Sequence, residues 1–225
     1  TSRPGDKIKL LSDNMDRIIE NIGFSDKQIE YYIHKYCTRT IDNLEEAEKA
    51  YKSRINIIKN NSLVYPISHI PLQLQMILSL IEKQEFNYTD NLTNIYLSMT
   101  KELYKWNQRN NNLQEFDNHM SILGQIGIIG LDTRNIIIPH SLINDLFIDI
   151  LLECGLLKQI QGDIISYCFI HLSFQEFIIA YYISQLSLNE QYLFIQNYKD
   201  LPHYNLVLSF LFGLTSSNHI SSFFE

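Results

Sequence analysis

Between Ile164 and His171 the side chains fall into two alternating sets. Ile164, Ser166, Cys168 and Ile170 form one, and Ile165, Tyr167, Phe169 and His171 the other, which is the two-residue period of a strand. Ser173 and Glu176 follow with the Ser-x-x-Glu spacing of a capping box, flanked by Leu172 and Phe177 as a hydrophobic staple. This pattern predicts a strand that gives way, at His171, to a helix capped by Ser173 and running from Phe174. Similar signals recur upstream. Ser25 and Gln28, with Phe24 before the cap and Ile29 after the first turn, predict a helix to about Cys37. Asp42-Asn43-Leu44-Glu45 predicts another start, and the charge-rich run to Lys59 predicts a solvated helix supported by pairs such as Glu45 with Lys49. Pro71 is expected in a first helical turn, where a missing amide proton costs little. Leu72, Met76, Leu78, Leu80 and Ile81 then make that helix largely buried. After Thr89, the residues Leu92, Ile95, Tyr96, Met99, Leu103 and Trp106 recur at spacings of three, four and seven, a core-facing stripe. Asn110, Asn111 and Asn112 read as a polar break.

From Leu113 to about Gln185 the expected order is a helix, a short β piece around Ile136 to Pro139, a helix from about Ser141 to Glu153, a strand from Leu156 to Ile160, a turn at Gln161-Gly162-Asp163, a strand from Ile164 to Ile170, and the helix from Phe174. That is a winged-helix order with its hairpin wing turned at Gly162. Two further helices are expected near Gln191 to Tyr198 and Tyr204 to Leu214, separated by Pro202. The predicted fold class is therefore mainly α: a small helical domain (23–110), a winged-helix domain with a β-hairpin wing (111–186), and the start of a second helical domain (187–225).

Composition narrows the chemistry. At 225 residues and 45% hydrophobic the chain can bury more than one core, and a net charge of −7 disfavours generic nucleic-acid or anionic-membrane binding. Residues 111 to 187 hold eight acids against Arg134 and Lys158 alone. A winged helix that binds DNA needs cations for the phosphates, so a transcription factor is disfavoured. Cys37, Cys154 and Cys168 have neither CxxC nor zinc-finger spacing, which points to no disulfide framework, no metal and a reducing cytosol. No apolar run is long enough to span a bilayer. No Gly-Lys pair is followed by Ser or Thr, and there is no Gly-x-Ser-x-Gly elbow, so the chain by itself carries no phosphate loop and no catalytic nucleophile. Leu146-Phe147-Ile148-Asp149-Ile150 has the form of a Walker B strand but lies in an expected helix.

The run Phe169-Ile170-His171-Leu172-Ser173-Phe174-Gln175-Glu176-Phe177 closely resembles the motif that closes the winged-helix domain of NACHT-type signalling ATPases, the NOD-like receptor group of the STAND nucleotide switches. Thr1-Ser2-Arg3-Pro4 is similar to the end of that family's sensor strand, Gly23-Phe24-Ser25-Asp26-Lys27-Gln28-Ile29 to the start of its small helical domain, and Ile70-Pro71-Leu72-Gln73-Leu74 to its proline motif. The four stand in the family's order. The resemblance implies that residues 1–22 end a NACHT nucleotide-binding core and that the chain is the carboxyl-terminal part of a longer protein.

By the same resemblance, His171 would reach the β-phosphate of ADP in a resting state, Arg3 would face the terminal phosphate, and Pro71 would pack near adenine. ADP or ATP, with Mg2+, would be bound by the full-length protein, a slow NTPase. No nucleotide is expected on this chain alone. The implied partners are the nucleotide-binding core in cis and further copies on activation, in innate-immune or cell-death signalling. Two alternatives stand beside this one: a nucleotide-free helical scaffold, and the disfavoured DNA-binding winged helix.

Overall fold

The computed structural model describes residues 22–87, 91–107, 113, 115–143, 152–162 and 164–215. Within them the chain is mainly helical, with one three-stranded antiparallel sheet. It divides into two compact units, Thr1–Tyr88 and Thr89–Glu225.

In the first unit, α1 (Asp26–Thr40) and α2 (Leu44–Asn60) pack together. Gln28 Oε1 accepts from the Ser25 amide at 2.8 Å and from its hydroxyl at 2.9 Å, so the expected start holds. Asn43 caps α2, its Oδ1 accepting from the amides of Glu45 (2.9 Å) and Glu46 (3.1 Å). Ile29, Ile33 and Cys37 form the buried stripe of α1, and Ala47, Arg54 and Ile58 that of α2. The buried Arg54 guanidinium sits over the Tyr36 ring and donates to Cys37 Sγ at 3.1 Å. Outside this seam the helices carry ion pairs, among them Glu45 with Lys49 at 2.8 Å. A short helix α3 (Val64–Ile67) leads to α4 (Pro71–Glu82), in which Leu74, Met76, Ile77, Leu78 and Leu80 are buried and Pro71 opens the first turn.

The second unit begins with α5 (Leu92–Asn107), so the helix assigned from sequence to the small helical domain packs with later elements. Ile95, Tyr96, Met99 and Leu103 are buried as the stripe requires. Trp106 is not core: it is 44% exposed in the last turn, while Tyr104 is buried. Periodicity gives the face of a helix but not how far along it the neighbours extend. Next come α6 (Phe116–Asp132), β1 (Ile138–Pro139), a 3-10 turn at His140–Leu142, β2 (Leu157–Ile160), β3 (Ser166–Phe169), α7 (Leu172–Ser184), α8 (Leu188–Tyr198) and, after a 3-10 turn, α9 (Asn205–Leu214). The strand order is β1-β3-β2, with Ile138 opposite Tyr167 and Leu157 opposite Phe169. The helix expected from Ser141 to Glu153 starts instead as the 3-10 turn, and residues 144–151 lie outside the described residues, as do the boundary at Asn110 and the whole of 1–21.

Helix α7 is the centre of this unit, buried on every side from Ser173 to Ala180. Helices α6 and α9 flank it. Phe174 and Phe177 of α7 meet Tyr96 of α5 and Phe210 of α9, with Tyr96–Phe210 centroids 4.8 Å apart and Phe177–Phe210 5.4 Å. On its other side lies a seam of Gly124, Gly127 and Gly130, one every three residues along α6. A Cβ at Gly124 would overlap the Cβ of Tyr182, and one at Gly127 would come within 2.9 Å of Ile179 Cγ1.

Candidate functional site

Pairing of β3 with its neighbour runs on to Ile170, whose amide donates to the Leu156 carbonyl at 3.1 Å. His171 comes next, with extended backbone (φ −156°, ψ 147°), and α7 begins at Leu172. The His171 carbonyl accepts the first intrahelical bond, from the Gln175 amide at 3.2 Å. Its ring nitrogen Nδ1 accepts the Ser173 amide at 3.2 Å and lies 2.7 Å from the Ser173 hydroxyl. These are the properties of an N-cap, with an imidazole nitrogen in the place where a Ser, Thr, Asp or Asn oxygen usually stands.

The cap is therefore His171 and not Ser173. Ser173 is the second helical residue and only 7% exposed, and Glu176 is buried in the helix body. The backbone turns helical two residues earlier than the Ser-x-x-Glu spacing suggests, because His171 supplies an acceptor as soon as the strand ladder ends. Leu172 consequently opens the helix rather than preceding its cap.

This geometry assigns the ring's proton. A backbone amide can only donate, so Nδ1 must offer its lone pair, and a neutral His171 carries its proton on Nε2. The side chain is half-buried and its Nε2–H is a hydrogen-bond donor. The position of the ring is set by α7, which is locked to α6 by its burial against the glycine seam and by Gln175 Nε2 donating to the Gly127 carbonyl at 2.8 Å. Sequence reading missed Gln175 and the seam, although three glycines at equal spacing in an apolar helix were a legible sign of close approach.

Pro71 belongs to the first unit. It is exposed at the start of α4, after an extended Ile70 (φ −92°, ψ 115°), the conformation a following proline imposes. The corner is held by His69, which sequence reading also passed over. Its carbonyl accepts the Phe24 amide at 2.7 Å, and its Nδ1 donates to the Phe24 carbonyl at 2.6 Å. Gly23, at φ +78°, has no room for a Cβ against the His69 carbonyl. Arg3 lies outside the described residues, so of the three candidates the structure places Pro71 in one unit and His171 in the other.

One further cluster of titratable groups lies inside the second unit. Tyr104 Oη is 2.8 Å from His119 Nδ1, and Cys154 Sγ is 3.5 Å from the same nitrogen. Burial pushes the Cys154 thiol up to about 12 and lowers His119 below its ordinary value. The thiol is thus protonated at neutral pH and the imidazole neutral, which suits a structural polar cluster and not a thiolate nucleophile. No group of three or more His, Cys, Asp or Glu among the described residues is placed to hold a metal, and no helix among them is long and apolar enough to cross a membrane. In comparison with known proteins, the chain matches no family profile and no curated sequence.

Proposed function

We propose that this chain is the regulatory part of a NACHT-type nucleotide switch, in which the elements from α6 to α7 act as a winged-helix body that closes on a nucleotide-binding core. The observation that carries the reading is His171: a half-buried imidazole at a strand-to-helix junction, with Nδ1 accepting the Ser173 amide and the proton of a neutral ring on Nε2. A bound ADP would supply phosphate oxygens, which are acceptors, and the ring's donor fits that chemistry. As the resemblance implies, Pro71 would pack near adenine and Arg3 would face the terminal phosphate. In the closed state His171 donates to the phosphate and holds the winged helix down. Loss of that bond on exchange favours an open state that oligomerises, a two-state equilibrium shifted by differential affinity.

The scaffold reading keeps one observation on its side: capping α7 accounts for His171 without any ligand. Purifying the intact protein under native conditions and assaying released nucleotide separates the two. Stoichiometric ADP supports the switch, and its absence, together with an upstream sequence lacking Gly-x-x-x-x-Gly-Lys-Ser/Thr, supports the scaffold.

A further inference from the structure

We draw no further inference here: the strongest candidate, the apolar patch beside the three-stranded sheet where Ile137, Leu142, Ile164 and Ile165 are exposed, carries nothing because nothing in the structure shows what covers it.

Discussion

His69 and His171 each stand just ahead of a helix, and they use the same ring atom in opposite ways. His69, before α4, donates from Nδ1 to the Phe24 carbonyl at 2.6 Å. His171, before α7, accepts at Nδ1 from the Ser173 amide at 3.2 Å. The partner decides the tautomer, since a carbonyl only accepts and an amide only donates. The outer nitrogen of His69 lies 3.9 Å from a carboxylate oxygen of Asp26, a contact between opposite charges only when the ring is protonated. Proximity to a helix start therefore says nothing about what a histidine can hold, while the backbone group it engages says a good deal.

The comparison depends on α7 being seated firmly enough to fix its cap, and the largest expected effect comes from unseating it. Gly124→Val should destabilise the second unit by about 3 kcal/mol or more through overpacking against Tyr182. Denaturant melts followed by Trp106 fluorescence would register it, and an unchanged midpoint would show that the α6–α7 seam is looser than drawn. Next in size, His171→Ala should cost about 1 kcal/mol through loss of an N-cap, and His171→Asn close to nothing, since asparagine caps at least as well. Equal losses in the two variants would mean that the ring is held by something other than the cap. The smallest effect is a pH dependence from a third histidine. Burial lowers His119, so the folded state resists a proton that the unfolded chain accepts below about 6.5. Stability conferred by the neutral ring is present above that value and declines as pH falls through it, and thermal melts between pH 7.5 and 5 should show a drop that His119→Gln reduces.

Much of the first unit was readable from sequence because its determinants are local. Ser25, Asn43 and Pro71 each set a helix start within three residues, and the Glu45–Lys49 pair sits on one face of one helix. The second unit was less so. Among its described residues two Ser-x-x-Glu spacings occur, at Ser173 and at Ser187, and only the second is a capping box: the Ser187 amide donates to Glu190 at 2.9 Å, starting α8 at Leu188 and not near Gln191. The first fails because His171 had already begun the helix, and a histidine cap has no common spacing to search for. The glycine seam, the reach of Gln175 across 48 residues and the exposure of Trp106 are tertiary facts. Alternation still placed β2 and β3 within one to two residues, and with them the junction at which His171 stands.

The measurement closest to the central claim is nucleotide retention by His171→Asn. In a protein that joins this chain to the proposed nucleotide-binding core, this variant keeps the cap on α7 and removes the Nε2–H donor, whereas His171→Ala removes both and confounds them. If His171 holds a phosphate, the Asn variant should melt like wild type yet lose ADP on purification, with affinity reduced by about 10- to 150-fold for a hydrogen bond to a charged group. An Asn variant that copurifies with ADP at wild-type occupancy and remains monomeric would contradict the account, and would leave His171 as the cap of one helix.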